Sequence, residues 1–285
     1  MSNHEARAQR LLQEAEKKKK GGFFSGAKWD EAAELIVKAA SMYKLAKKWE
    51  RAGELYIEAA ECQMKINYGH DAASNYINAS NMFKKAKSPR AIECLQAGVA
   101  YYTEEGRFSI AAKYQKEIAE HYEAENDLEN AIEAYESAAD FYEGEGSTTS
   151  SNQCKLQVAT YCGQLERYEK AIEIFEAVAK ESLGNKLLKY SAKDYFLKAG
   201  LMRLCADAVG AKVAIEKYQD LDYTFGSTRE CSFLVALLAA IEEFDVEAFT
   251  NAVVEFDSIQ KLDNWKTTVL LRIKNTLKED DPSLC

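Results

Sequence analysis

Residues able to do chemistry are few in this chain and poorly arranged for it. The three histidines, His4, His70 and His121, lie far apart in sequence. None belongs to an H-E-x-x-H pair or to a Cys/His group at metal-ligand spacing. The seven cysteines, at 62, 94, 154, 162, 205, 231 and 285, include no C-x-x-C. An odd number without a pairing pattern reads as reduced, buried thiols. No G-x-x-x-x-G-K-[ST] or G-x-G-x-x-G phosphate loop is present. Glu279-Asp280-Asp281 could hold a divalent cation, but no second acidic cluster faces it. A solvated acidic tail is the simpler reading. No catalytic residue, metal or cofactor is expected.

Three groups suit contact rather than catalysis. Lys17-Lys18-Lys19-Lys20 runs into Gly21-Gly22-Phe23-Phe24-Ser25-Gly26. Lysines gain about 1 kcal/mol each at an anionic membrane, and the two rings could enter the acyl boundary. The plainer alternative tucks both rings onto the first helical hairpin. A second group is basic: Lys47, Lys84, Lys85, Arg107, Lys113 and Lys193 recur along the chain. Aligned on one surface, they would fit a long acidic helical partner. A third is acidic, Glu242, Glu243, Asp245, Glu247 and the tail, and would suit a basic partner. For these last two, solvation of helix faces is the default.

The charge is unevenly spread. Residues 1–90 carry a net +6, residues 91–230 a net −10 and residues 231–285 a net −5. That sorting fits two contact surfaces of opposite sign. A pI of 5.2 is far from the basic footprint of a nucleic-acid binder, so no nucleic acid is expected. No apolar run approaches the roughly 18 residues of a membrane span, and from the polar start no secretory signal is expected.

The elements that must position these groups are helices in series. Only Pro89 and Pro282 occur, whereas sheet proteins punctuate their turns with Pro and Gly. Ala-Ile-Glu recurs at 91–93, 131–133 and 171–173, a period of 40 residues. Alanine pairs at 32–33, 72–73 and 111–112 fall midway between. The unit is therefore about 20 residues, one helix plus a short turn, and two units make a hairpin. Tyr135, Ala138, Ala139 and Tyr142 keep a helical spacing on one face. A large apolar residue precedes an alanine by three at Trp29, Trp49, Phe108, Leu128 and Tyr168, which reads as a hydrophobic staple. Ser88-Pro89 reads as an N-cap and first helical residue. Gly69, Gly106, Asn126-Asp127 and Gly144–Ser151 read as turns.

The pattern fades near residue 185. Helices are expected near 187–200, 203–219, 227–242, 246–259 and 262–278. The expected organisation is all-α: a TPR-like right-handed superhelical solenoid of antiparallel hairpins over 1–185, with the membrane-contacting loop near 21–27. A globular helical bundle over 186–278 caps it, and 279–285 forms an acidic flexible tail. The repeats alone allow a generic TPR-like scaffold that binds peptides.

The chain closely resembles the alpha/beta type of soluble NSF attachment protein. The resemblance covers nearly the whole length. It is carried most specifically by Gly106-Arg-Phe-Ser-Ile-Ala-Ala-Lys113, Leu187-Leu-Lys-Tyr-Ser-Ala-Lys-Asp-Tyr-Phe-Leu-Lys-Ala199 and Leu270-Leu-Arg-Ile-Lys274. Phe23–Gly26, Ser227–Cys231 and Tyr218 also fit. The resemblance implies an adaptor, not an enzyme. It would coat the SNARE four-helix bundle (syntaxin, SNAP-25 and synaptobrevin types), recruit and stimulate the NSF hexamer, and enable ATP-driven bundle disassembly in vesicle fusion and intracellular transport. It implies a cytoplasmic protein, peripheral on anionic membrane surfaces, monomeric in solution and present in several copies on the bundle.

By the same resemblance, Lys47, Lys85, Arg107, Lys113 and Lys193 would face the SNARE bundle. Phe23 and Phe24 would contact the membrane. Asp207, Glu242 and Glu243 would face NSF, and Leu284 would stimulate it. Three departures stand out. Gln153 and Gln157 flank Cys154 where the family usually has lysines. The loop after Phe24 is shorter than usual. Ala239 replaces a usual acid.

Overall fold

The computed structural model describes residues 3–21 and 26–279. Fourteen α-helices and two short 3₁₀ helices make up the described chain, with no strand among them. Six of the seven cysteines are described, and none of the six forms a disulfide. The chain divides into two compact units, one ending at Ser151 and one beginning at Asn152.

The first unit holds α1 (Asn3–Lys20), α2 (Trp29–Leu45), α3 (Trp49–Met64), α4 (Gly69–Ala86), α5 (Arg90–Glu104), α6 (Phe108–Ala124) and α7 (Leu128–Gly144). The dividing line runs through α8 (Thr148–Gln164). The second unit continues with α9 (Tyr168–Leu183), a 3₁₀ turn (Lys189–Ser191), α10 (Ala192–Ala206) and α11 (Ala208–Leu221). A second 3₁₀ turn (Phe225–Ser227), α12 (Arg229–Glu242), α13 (Val246–Ile259) and α14 (Asn264–Glu279) complete it.

One turn type makes the 20-residue unit. Lys47, Asn67, Lys87, Gly106, Asn126, Gly146 and Glu166 all have φ between 56° and 68°. The N–H of each following residue reaches back to a helical carbonyl: Lys48 to Tyr43 at 2.9 Å, Arg107 to Tyr102 at 2.8 Å, Arg167 to Cys162 at 2.8 Å. This is the Schellman closure, which satisfies the last carbonyls of a helix. At Lys48, Tyr68, Arg107, Asp127 and Arg167 that following residue is already the N-cap of the next helix. So short a turn reverses the chain, and consecutive helices pack as antiparallel hairpins.

Alanine explains the close packing. Ala32, Ala39, Ala40, Ala52, Ala59, Ala72, Ala79, Ala111, Ala112, Ala131 and Ala138 are fully buried. Aromatic side chains fill what the alanines leave open. The Phe83 ring lies so near Gly53 that a Cβ there would meet it at 2.8 Å. Truncating Phe83 to Ala should cost about 3–5 kcal/mol.

The second unit adds polar anchors. Glu176, nearly buried on α9, accepts from Arg203 at 2.9 Å and from the Tyr218 hydroxyl at 2.8 Å. Burial and the Glu176 carboxylate push that hydroxyl far above its usual range, so it stays a donor. Arg272 of α14 donates to the carbonyls of Gly163 and Gln164 at 2.8 and 2.7 Å, closing the end of α8.

Local expectations differ from this structure in six places. Gly69, read as a turn, opens α4, and the helix expected near 203–219 begins only at Ala208 because α10 runs on to Ala206. The five staple residues, Trp29 to Tyr168, are the first residues of their helices, two positions inside the staple position, which precedes the N-cap. Ser88 makes no cap; Pro89 takes the N-cap place and the helix starts at Arg90. The turn expected over Gly144–Ser151 shrinks to three residues, because Gly146 alone supplies the left-handed step. The helix expected over 187–200 starts at Ala192. Before it, the Asn185 side chain accepts the Leu187 N–H and turns the chain.

Candidate protein-interaction surfaces

The basic positions of the first unit divide between helix ends. Lys47 is exposed and occupies the left-handed step between α2 and α3. The exposed Lys85, near the end of α4, holds its ammonium 4.9 Å over the ring of Trp49, the first residue of α3. Lys47 and Lys85 therefore share one end of the hairpins. Arg107 is exposed in the turn between α5 and α6, at the opposite end. A helix of this length separates the ends by about 25 Å. Lys113 is exposed in the first half of α6, its ammonium 5.4 Å over the ring of Tyr114.

Lys84, also in the basic series, pairs with Glu117 at 3.1 Å. The lysine run before the Phe loop is likewise partly engaged. Lys18 pairs with Glu31, and Lys19 with Glu16 and Glu58. The Lys18 and Lys28 ammonium groups hold the Glu31 carboxyl at about 2, well below the usual range. The Lys28 N–H donates to the Lys18 carbonyl at 3.0 Å, bringing the two ends of the loop together. Two of the four lysines thus bring matched charge to any membrane contact. Phe23, Phe24 and Leu284 lie outside the described residues.

In the second unit Lys193 has two faces. It is 46% exposed, yet its ammonium sits 3.0 Å from the nearly buried Glu230 carboxylate. Around the turn that precedes α10, Leu187 and Tyr190 project almost fully into solvent. So does Tyr223, with the Lys189 ammonium 6.0 Å from its ring. Leu187 and Tyr190 stood in sequence only within a stretch that carries the family resemblance, and Tyr223 not at all; none was read as an exposed contact residue. Read as part of a helix beginning at 187, Leu187 and Tyr190 pass for core residues. The turn at Asn185 and the 3₁₀ step leave them outside.

The acidic positions converge. Asp207 caps α11 by accepting the Gly210 N–H. One turn later, Lys212 reaches Glu242 at the end of α12, at 3.2 Å. Glu243 follows as the C-cap, Phe244 makes a left-handed step, and Asp245 caps α13 through the Glu247 and Ala248 N–H groups. Asp207, Glu242, Glu243 and Asp245 are all exposed and gather where these helices meet. Ala239 is exposed on α12 one turn before Glu243, so the substituted acid falls on this same surface.

Among the described residues, no group of three or more metal-ligating side chains converges. Nor is any described helix long and apolar enough to cross a membrane.

The pattern of the family described as "Soluble NSF attachment protein, SNAP" matches residues 6–278. The chain is 47% identical to the alpha-soluble NSF attachment protein of Mus musculus over 291 residues, covering 99% of each. It is 48% identical to the beta-soluble NSF attachment protein of Bos taurus, covering 97% of this chain and 95% of that one. Against the alpha-soluble NSF attachment protein of Saccharomyces cerevisiae, identity is 36%, covering 96% and 98%. Among solved structures, a signal-transduction ATPase with a tetratricopeptide repeat sensor from Pyrococcus horikoshii aligns with a TM-score of 0.46. Identity there is 17%, covering 94% of this chain and 41% of that one.

Proposed function

Because the chain belongs to the soluble NSF attachment protein family, we propose that its basic positions and its acidic corner divide the work of an adaptor between SNARE complexes and the ATPase NSF. As a member of that family it is an adaptor and not an enzyme. Its role is in SNARE complex disassembly, vesicle fusion and transport.

In this reading Lys47, Lys85, Arg107, Lys113 and Lys193 meet the acidic exterior of an assembled four-helix SNARE bundle. The exposed Leu187, Tyr190 and Tyr223 beside Lys193 add apolar contact, which charge alone does not supply. The acidic corner at Asp207, Glu242 and Glu243 meets NSF, and Leu284 stimulates it. The Phe23-Phe24 loop holds the chain on an anionic membrane and raises its local concentration there. The protein is then cytoplasmic and peripheral on membranes, with several copies on one bundle.

The observation that carries the polarity is the gathering of exposed acids at the meeting ends of α11, α12 and α13. Opposed charge favours fast, oriented encounter with a basic partner. A generic peptide-binding scaffold predicts no coupling to an ATPase.

The test is disassembly of a preassembled SNARE bundle by NSF with ATP-Mg, with the chain added. Turnover should require the chain. Lys113→Glu should lose bundle binding, whereas Leu284→Ala should bind the bundle yet fail to drive turnover. No binding and no turnover would leave the family resemblance with the fold alone.

A further inference from the structure

The outward arc of α11 is unlike a merely solvated helix face. Residues 209, 212, 213, 216, 217 and 220 are exposed, and at 100° per residue they form one arc. Two are valines one turn apart: Val209 is 77% exposed and Val213 62%. Exposed valine lowers helix propensity, and here it gains no burial in return.

The outward arc of α12 is similar. Ser232, Val235, Ala236 and Ala239 lie exposed along it, an uncharged stretch between Arg229 at one end and Glu242 and Glu243 at the other. The Lys212–Glu242 contact at 3.2 Å joins the two arcs. Lys212 is thereby matched; Glu216, Lys217 and Asp220 continue the α11 arc, and Asp207 and Glu243 make the end of the strip nearest Val209 and Ala239 acidic.

We propose that Val209, Val213, Val235 and Ala239 are the apolar centre of the ATPase-docking surface, and that Asp207, Glu242 and Glu243 are its rim. The partner surface that fits is basic at its edge with apolar side chains exposed inside. This rests on the reading of the acidic corner as the NSF-facing surface. An apolar centre within a charged rim is the usual anatomy of a specific interface. The rim sets encounter and salt dependence, and the centre sets residence. At Ala239, where a departure from the family's acid removes a rim charge, the same position enlarges the centre.

The experiment titrates the full chain into NSF, ATP-Mg and preassembled bundle, and reads the concentration for half-maximal disassembly at about 0.05 M and about 0.3 M salt. Three variants are compared: Val209→Ser with Val213→Ser; Asp207→Asn with Glu242→Gln and Glu243→Gln; and Val254→Ser, an exposed valine on α13, as control. The valine pair should raise the half-maximal concentration on the order of tenfold at both salts, with bundle binding and melting temperature unchanged. The acid triple should raise it mainly at low salt. A valine pair that behaves like wild type beside an impaired acid triple overturns this inference and leaves the NSF-facing reading intact. If both behave like wild type, the NSF-facing reading itself fails. Should the serine pair melt lower, the isosteric Val209→Thr with Val213→Thr decides the matter in the same assay.

Discussion

The Lys193 ammonium lies 3.0 Å from Oε1 of Glu230, a carboxylate only 2% exposed whose Oε2 has no hydrogen-bond partner. A residue carried over as a bundle contact is therefore also the counterion of a nearly buried acid. Removing it strands that charge. Breaking a fully buried pair costs about 3–5 kcal/mol, but Lys193 is half in water, and about 1–2 kcal/mol is the reasonable scale. Lys193→Met should thus lower the melting temperature by a few degrees and weaken bundle binding together. Adding Glu230→Gln should restore the melting temperature and leave binding weak. Thermal unfolding and bundle binding measured on both variants separate the two roles. Full recovery of binding in the double variant would make Lys193 a structural residue only.

Lys47 offers the opposite separation. It holds φ at 56°, a left-handed conformation that disfavours any side chain with a Cβ. Gly106 and Gly146 take the same step in equivalent turns without that penalty. Lys47→Gly should therefore stabilise the fold by about 0.5–1 kcal/mol, after allowing for the freer unfolded chain. The same change deletes a proposed bundle-facing charge and should weaken bundle binding several-fold. A melting curve and a binding titration check both signs. Greater stability with unchanged binding removes Lys47 from the contact surface.

What could be read from sequence follows from what repeats. Alanines and aromatics at helical spacing leave a periodic trace, so the helices of the first unit were visible in Ala32, Ala72, Ala111 and Ala131. The turns were less visible, because Lys47, Lys87 and Glu166 take a left-handed step that no glycine announces. The break before α10 was hidden because Lys-Leu-Leu-Lys-Tyr carries a helical pattern, and only the Asn185 side chain diverts it. With it were hidden the exposed Leu187 and Tyr190. Long-range pairs leave no local trace either. Glu230 is the partner of Lys193, and Gly163 and Gln164 are the partners of Arg272. Arg272 and Tyr218 were noticed through resemblance, and their hydrogen bonds supply the physical reason for their types.

Asp207 is both a charge and a cap. Its carboxylate accepts the Gly210 N–H while its own backbone is extended, the geometry of an N-cap. Asparagine caps about as well as aspartate and carries no charge. Asp207→Asn should keep the melting temperature and weaken NSF-driven disassembly. Asp207→Ala should weaken disassembly to the same degree and also cost about 1 kcal/mol of stability. Full activity in the Asn variant with loss in the Ala variant would show that only the cap matters there.

Acid sensitivity of the first unit should trace to His121. Its Nε2 is buried without a hydrogen-bond partner. Burial first, and the Lys84 ammonium second, hold the imidazole below its usual range, against the opposing pull of Glu117, Glu120 and Glu125. The folded chain thus prefers the neutral ring, whereas the unfolded chain takes up a proton near pH 6.5. Between that value and the lower folded one, the unfolded state binds more protons, so stability falls as pH falls. Above it, the contribution is constant. Denaturant midpoints measured from pH 7.5 to pH 6 should decline over the lower part of that interval. His121→Gln, which has no titrating group, should flatten the decline while leaving the remaining pH dependence in place. An unchanged slope in that variant would assign the acid sensitivity to other groups.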